Sequence, residues 1–556
     1  MNNTFPSSAP ARMARPKDEK KRAKKIVKEF ETRKSQRVNW NELYEEIAEI
    51  FIPNKDDVFN QRHRTTGDRK GINLLDTTGA HSAEVLANTL HSMLTNPSAL
   101  WLALQAKLGP LNDDPAVVDW LQRLVRQMIS MLNQSNFQTQ IHECYRDLTT
   151  FGTGPLEVLE DDDFVVRFKA RPIYNYYTKE NEKGLIDDSM TEEDLTVHQA
   201  FDKFGEGAFG DEVDQLLRDP SKKITIIHAI SKRSNAERLK YASTSKGHAF
   251  QSIHIWKDKC MIVKESGFKE FPIMFPRWSK LSDEELGRSP AMTALADAKM
   301  LNTMMRTTIR GAQKIVDPAV MVPDDGMLGR LSLAAGATNT YRAGTQDQVY
   351  TIETKGNPAL GLELIESVRQ QVKKIFFIDQ LQLGIGPQMT ATEVNARIEQ
   401  QLRLLGPLLG RLHFELLQPM ISRILKIMER KNLLPDNPPA AITGNFDLEV
   451  FFTSAIAQAQ RSQEAGKLRS FLSTLAPIAE FDESAGDVVK TDEIVREIGK
   501  LEGINSKLFR NTNELKEFRE VKQQQIDEAK QQQQQMQNAE VVQKAGPTAL
   551  KAGGLV

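Results

Sequence analysis

Residues Arg288 to Asp379 read as one long helix, a compact β-rich excursion and a second helix that returns. From Met292 the apolar residues Met292, Leu295, Ala298, Leu301, Met305, Ile309, Ala312 and Val316 recur every three or four positions, the period of one helical face. Ser289-Pro290 starts this helix for a chemical reason: a serine hydroxyl accepts a free backbone N–H, and the proline ring fits the first turn. Asp317-Pro318 ends it, because the residue before a proline is pushed out of the α region. In the second helix Ile365, Val368, Val372, Ile375 and Phe376 repeat the pattern, with Glu363, Glu366, Gln370 and Lys373 on another face. Between the two, Ala319 to Val322, Leu331 to Leu333 and Gln348 to Ile352 are strand candidates, separated by Pro323-Asp324-Asp325-Gly326 and by a small-residue segment from Ala334 to Gly344. So short a β unit buries little and is expected to pair with something else, most simply the same segment of a neighbouring chain. An ordinary helical hairpin with a long surface loop fits the same periodicity.

The 556 residues leave room for about three or four domains. Lys plus Arg number 73 against 74 Asp plus Glu, so the formal charge is −1, which weighs against a tight general grip on nucleic acid. Cys144 and Cys260 stand 116 positions apart without a Cys-x-x-Cys spacing, so neither a disulfide framework nor a zinc site is expected, and a reducing compartment fits. No apolar signal-peptide core opens the chain. The most apolar long segment, Leu402 to Ile427, is interrupted by Arg403, Arg411, His413, Glu415, Arg423 and Lys426, so no membrane span is expected. Without a phosphate-loop motif, a His-Glu-x-x-His, a serine elbow or a Cys/His constellation, the sequence reads as non-enzymatic, with no cofactor and no metal.

In chain order, residues 12–37 hold twelve Lys or Arg against four acids, a basic arm read either as solvated charge or as a nucleic-acid contact. Trp40, Leu43, Ile47 and Ile50 carry a helix to Pro53. Helices are expected over Pro115 to Leu132 and Phe137 to Thr150. Phe151-Gly152-Thr153-Gly154-Pro155 reads as a turn, because the third glycine and the Lys-Ser/Thr of a phosphate loop are missing. Glu160-Asp161-Asp162-Asp163 joins two strands, as a solvated turn or as a divalent-cation site that would suit a metal-dependent nuclease. Ile173 to Arg277 alternates strands with short helices, a mixed α+β domain. After a glycine-containing element, Gln380 to Ala391, comes a helix with Val394, Ile398, Leu402, Leu405, Leu409, Leu412, Leu416, Met420, Ile424 and Met428, with kinks expected at Gly406-Pro407 and Gln418-Pro419. Pro435 to Pro439 reads as a linker, followed by a strand Phe446 to Phe452 and helices near Ala455 to Leu475 and Thr491 to Leu501. Glu514 to Lys544 is a Gln-rich helix that frays into disorder.

Two stretches point to a family. Asp76-Thr77-Thr78-Gly79 starts a helix with Val85, Leu86, Leu90 and Leu94, which Thr95-Asn96-Pro97 stops before Trp101-Leu102-Ala103-Leu104. Gly287-Arg288-Ser289-Pro290 leads into the hairpin. Both resemble the head-to-tail connector, or portal, proteins of short-tailed bacteriophages, with Leu286 standing where that family has an aromatic residue. The resemblance covers most of residues 40–530. It implies an α+β multidomain portal fold, mostly α and ring-forming. Its parts would be a basic N-terminal arm (1–39), a mixed α/β wing (40–287), stem helices (288–316 and 359–379), a small β-rich clip (317–358), a channel loop (380–391), a long kinked wing helix (392–434), a helical crown (435–510) and a Gln-rich tail (511–556).

The resemblance further implies a dodecameric homo-oligomer at one capsid vertex of the virion, assembled in the host cytoplasm. Its partners would be double-stranded DNA passing through, the terminase large subunit, the major capsid and scaffold proteins and a tail adaptor. Gln382, Gly384, Ile385, Gly386, Gln388 and Met389 would meet DNA from the channel loop. Helical spacing aligns Lys299, Arg306, Arg310 and Lys314 as a second DNA stripe, as a solvated face or as inter-subunit ion pairs. Asp324, Asp325, Arg330 and Arg342 would form the docking surface of the clip. The competing readings are an oligomeric tail or scaffold protein without a DNA channel, and the nuclease built on the acidic turn.

Overall fold

The computed structural model describes residues 17–53, 74–106 except 99, 114–240 except 220, 244–324, 332–342, 350–352, 358–381, 405–436, 439, 448–452, 464–477 except 476, 489–501, 510 and 512–549. The chain divides into two units, Met1–Ile456 and Ala457–Val556.

The first unit opens with α1 (Lys17–Gln36), α2 (Val38–Phe51), α3 (Thr78–Leu94), β1 (Leu102–Ala106), α4 (Pro115–Gln134) and α5 (Phe137–Phe151). Asp114 accepts the Ala116 amide at 2.9 Å and Pro115 occupies the first turn, so α4 starts where an N-cap and a preset φ coincide. The antiparallel hairpin β2 (Leu156–Asp161) and β3 (Val165–Ala170) follows. Next comes an antiparallel meander of five strands in sequential order, β4 (Tyr176–Glu180), β5 (Ile186–Thr196), β6 (Lys223–Lys232), β7 (Phe250–Trp256) and β8 (Met261–Phe268). The short helices α6 (Val197–Phe204) and α7 (Val213–Leu216) lie between β5 and β6, and α8 (Asn235–Lys240) between β6 and β7. β9 (Ile273–Met274) then returns to pair with β2.

The helical hairpin consists of α9 (Pro290–Val316), the strands β10 (Val320–Asp324), β11 (Thr338–Arg342) and β12 (Tyr350–Thr351), and α10 (Pro358–Ile375). After it come α11 (Ile378–Leu381), helical residues 405–412, a π turn His413–Leu417, a helix Gln418–Arg430 and β13 (Leu448–Phe452). The π turn precedes Pro419, which has no N–H to give; the Gln418 amide instead donates to the His413 carbonyl, five residues back. The sequence leads to the expectation of a kink at Gln418-Pro419; the structure has a π turn in the five residues before it.

Two cores organise this unit. In one, Trp101, Trp120, Leu124, Phe137 and Phe168 pack against Leu412, Leu416, Met420 and Ile424. In the other, Tyr44, Phe51, Leu86 and Phe151 surround the first turns of α9 and the last of α10 through Ala291, Ala294, Val372 and Phe376. Each fully buried Leu or Phe contributes about 1.5–3 kcal/mol of transfer free energy, so the base of the hairpin is fixed by packing.

Four expectations change. The described part of the basic arm is not a detached segment, because α1 lies on the five-stranded sheet with one face while Lys20, Lys21, Lys24, Lys25 and Lys28 stay exposed on the other. Ala23, Ile26, Val27 and Phe30 form a short helical stripe that buries against Tyr177, Ile227, Ile253 and Ile255, which anchors a helix too charged to be stable alone. Second, the middle strand of the excursion is Thr338–Arg342, inside the small-residue segment, and residues 332 and 333 are not extended partners. Asn339 exchanges hydrogen bonds with the Ser332 backbone (2.6 and 2.7 Å), Gly336 turns the chain at φ +68°, and alternating threonines suit the strand. β10 is central, parallel to β11 and antiparallel to β12. Third, the strand expected over Phe446 to Phe452 does not start a separate C-terminal domain: β13 pairs antiparallel with β1 and belongs to the first unit. Fourth, the C-terminal helix runs Thr512–Ala549, past the expected fraying point.

In the second unit a helix over 464–475, a helix Thr491–Leu501 and the long terminal helix are described. Arg519 pairs with Asp492 at 2.7 Å, and the Arg510 guanidinium lies 3.9 Å from the centre of the Phe518 ring.

Candidate functional site: the helical hairpin and its anchor

Ser289 accepts the Met292 amide at 3.1 Å, as a cap should, and also donates its hydroxyl to the Thr150 carbonyl at 2.6 Å. The start of α9 is therefore tied to the end of α5. There Gly152 adopts φ +78°, and its backbone touches that of Gly287 so closely that a Cβ on either would lie within 2.2 Å of the other's carbonyl oxygen. Thr153 accepts the Gly287 amide at 2.9 Å, and the Trp278 amide donates to the Gly152 carbonyl at 2.9 Å. The two glycine-bearing stretches of the sequence are thus one interlocked joint, and Phe151 to Pro155 is a turn as expected. Leu286 is buried in the core beside it.

Arg277 is the hub of the joint. It is 1% exposed, donates to Glu415 from Nη2 at 2.6 Å, to Glu180 from Nη1 at 3.3 Å, and to the carbonyls of Glu285 (3.0 Å) and Gly184 (2.7 Å). Burial pulls its pKa down, but the carboxylates of Glu415 and Glu180 more than offset that and hold it above the ordinary arginine value. Burial pushes Glu180 up, yet Lys280 and Arg277 together hold it below the usual carboxylate range. Sheet, hairpin base and π turn meet at this one side chain. Sequence reasoning treated Glu415 only as an interruption of an apolar segment. Its signal was a carboxylate within an apolar stripe, which needs a cation when buried.

The family-like start of α3 has its own partner. Asp76 accepts the Thr78 amide at 2.9 Å and the Arg369 guanidinium of α10 at 2.7 Å, while Thr77 makes no side-chain cap bond. Burial raises its pKa, but these donors outweigh it, so the carboxyl sits below its ordinary value. Gly79 is required by space: a Cβ there would lie 2.8 Å from the Phe51 ring.

Along the hairpin, burial is graded. Ala291, Ala294, Leu295, Ala298 and Leu301 are buried, and Leu301 packs with Ile365 and Val368 of α10. Further out, Ile309 is 40% and Val316 84% exposed, and Leu362 and Leu364 of α10 are exposed as well. The single chain leaves the far half of its apolar stripe uncovered.

Of the basic stripe, Lys299 pairs with Glu46 of α2 at 2.8 Å, Arg306 and Arg310 are exposed and Lys314 is half-buried. Asp324 and Arg342 end the paired strands β10 and β11, opposite each other in register. Asp325 and Arg330 lie outside the described residues, as do Gln382, Gly384, Ile385, Gly386, Gln388 and Met389.

The acidic turn is occupied by cations of the chain itself. Glu160 pairs with Arg430 and Asp161 with Arg167, and Lys431 lies 3.7 Å from Asp162. The Asp163 amide and then Arg167 hold the Asp161 carboxyl below its ordinary value. Among the described residues no group of three or more His, Cys, Asp or Glu is placed to hold a metal ion, and no helix is long and apolar enough to cross a membrane.

Comparison with known proteins follows the same line. The chain is similar to the "Probable portal protein" of Bordetella phage BPP-1, 29% identical over 534 residues that cover 94% of each chain. It is similar to the "Portal protein" of Salmonella phage epsilon15, 27% identical over 516 residues, 91% of this chain and 92% of that one. Among solved structures, a chain described as "Neck of empty GTA particle computed with C6 symmetry" aligns over 71% of this chain and 86% of that chain at 11% identity, with a TM-score of 0.35, a likeness too loose to inform the fold. The sequence profile described as "Bacteriophage head to tail connecting protein" matches residues 23–509, which spans both the α3 signature and the anchored hairpin, and the chain belongs to that family.

Proposed function

We propose that this protein is a phage portal: a homo-oligomeric ring, twelve subunits in number, at one capsid vertex of the virion, assembled in the host cytoplasm. The ring is the conduit for double-stranded DNA in packaging and ejection, and the platform on which the terminase large subunit and then a tail adaptor dock, with capsid and scaffold proteins around it. The observation that carries this reading is the graded hairpin. Its base is locked into the second of the two cores, while its far half leaves Ile309, Val316, Leu362 and Leu364 without cover in a single chain. Apolar area of that kind is a subunit interface when the chain assembles. In this reading residues 40–287 form the wing, 288–316 and 359–379 the stem, 317–358 the clip, and 464–501 with the terminal helix the crown and tail.

Within the ring, Gln382, Gly384, Ile385, Gly386, Gln388 and Met389 face the DNA, with Arg306, Arg310 and Lys314 as weak contacts on the stem. Asp324, Asp325, Arg330 and Arg342 present the docking surface of the clip. The formal charge of −1 suits a conduit, because every phosphate paired with a cation adds salt-dependent binding that would retain the DNA. The testing experiment is negative-stain imaging with mass photometry. A closed ring whose pore admits a duplex is expected, and a monomer or a poreless assembly would sink the reading. Deleting Gly384 to Gln388 is expected to leave rings intact and to shorten the DNA retained in filled heads; normal retention overturns the role of the loop.

A further inference from the structure

We propose that the outer face of α1 is a second DNA-binding surface, a lysine ridge that takes duplex DNA through its phosphates, separate from any contact in a channel. The inner face of α1 is fully used. Arg22 pairs with Glu265 at 3.0 Å, Arg33 with Asp188 at 2.7 Å and Lys34 with Glu192 at 2.5 Å, while Arg37 donates to the carbonyls of Ile173 and Tyr176. These contacts explain why the helix is on the sheet. They leave Lys20, Lys21, Lys24, Lys25 and Lys28 unexplained. All five are exposed, and among the described residues none has an ion-pair partner. No acid occurs between Lys20 and Lys28.

Geometry makes these five one surface. Lys20, Lys24 and Lys28 are spaced by four, as are Lys21 and Lys25, so two adjacent rows run along one side of the helix with about 6 Å between successive charges. A duplex carries about one negative charge per 1.7 Å of axis, so such a line finds phosphates in any register. The packed inner face holds the rows rigid with respect to the sheet.

The composition of the ridge selects the partner. A protein interface of useful affinity needs an apolar or aromatic centre, commonly with arginine, and the ridge positions supply none. Single strands are gripped by stacking bases on aromatic rings, which are also missing from the ridge. Lysine alone, a strongly hydrated point charge, suits sequence-independent contact with phosphates. The duplex is therefore the ligand, bound without sequence preference and with strong salt dependence.

The test uses the full-length assembled protein and a fluorescent duplex of about 20 base pairs, with affinity measured by anisotropy over a salt series. Changing all five lysines to glutamine is expected to weaken binding at least tenfold at low salt and to make the slope of log K against log salt shallower by about 2 to 4.5. The matching arginine variant is expected to retain binding. The triple variant Lys516→Gln, Lys522→Gln and Lys530→Gln on the terminal helix is expected to leave the slope as it was. In the wild-type protein the duplex is expected to shield Lys20 to Lys28 from acetylation, a readout that does not depend on any variant folding. An unchanged slope, or unshielded lysines, overturns the proposal. Polyglutamate shielding the ridge where the duplex does not would assign it to an acidic polypeptide, which also overturns it. Mass photometry on the glutamine variant separates this outcome from a failure of the portal reading, since the ring is expected to persist.

Discussion

Arg277 and Glu415 lie 138 positions apart in the sequence and form a bidentate pair, Nη2 to Oε1 at 2.6 Å and Nε to Oε2 at 3.2 Å, with the Arg277 amide donating to the same carboxylate at 2.9 Å. The pair joins the strand that leads into the hairpin to the π turn, with both side chains nearly closed to solvent. An isolated buried charge is costly, so removing one member should be worse than removing both.

Glu415→Leu or Arg277→Met is accordingly expected to destabilise the chain by about 3–5 kcal/mol. The double replacement Arg277→Met with Glu415→Leu is expected to be milder than the sum of the single changes. Denaturant midpoints of the four proteins give the coupling energy directly, and additive losses would contradict a paired role.

The Gly152–Gly287 contact predicts a sharp contrast between glycines. Gly287→Ala places a methyl group 2.1 Å from the Gly152 carbonyl oxygen, so backbone has to move and a loss of several kcal/mol, on the order of 3, is expected. Gly207→Ala meets nothing within 4 Å and is expected to change stability by less than about 0.5 kcal/mol. Calorimetric Tm values decide this, and equal tolerance of the two would refute the joint.

The stacked pair His228 and His254, ring centres 3.9 Å apart on β6 and β7, predicts an acid limit. Burial, then the nearby Lys203 and Arg171, pushes His228 down to about 3. Burial, then His228, Lys203 and Lys264, pushes His254 down to about 2. Both rings are neutral when folded but bind protons near 6.5 when unfolded, so the unfolded chain gains protons first as the pH falls. Stability from this pair is complete above about pH 6.5 and is lost progressively below it. Urea midpoints from pH 7.5 to 4.5 are expected to fall, and His254→Phe is expected to flatten that decline.

Ile309→Asp tests the uncovered half of the stem. At 40% exposure in a single chain the change is expected to cost the monomer fold less than about 1 kcal/mol, while burying an unpaired carboxylate in an assembled stem is prohibitive. Mass photometry should therefore find folded monomers in place of rings. Rings of normal size would show that this face is no interface.

Periodicity made the long elements legible. The boundaries of α9 follow from Ser289-Pro290 and Asp317-Pro318, and the buried set Ile365, Val368, Val372 and Phe376 follows from spacing alone. Docking of α1 was obscured because twelve cations hid the four-residue stripe Ala23, Ile26, Val27 and Phe30. Strand β11 was missed because Thr338 and Thr340 carry less apolar weight than Leu331 and Leu333, although Gly336 and Asn339 set the turn there. At the joint, Arg277 and the two glycines act over more than a hundred residues, and no local pattern encodes a contact at that distance.

The π turn has a further consequence for reading this helix as an inserted residue. Before it the buried positions are Leu405, Leu408 and Leu412; within it they are Leu416 and Leu417, and after it Met420, Ile421, Ile424, Ile427 and Met428. At about 100° per residue the set after the turn is rotated by one residue's worth from the set before it, and the wide turn absorbs that phase slip so that both sets face one core. The surplus residue emerges at the surface as Phe414, 63% exposed, and its neighbour Glu415 is delivered to Arg277. One added position thus gives an apolar helix an ionic attachment point without interrupting the packing on either side of it.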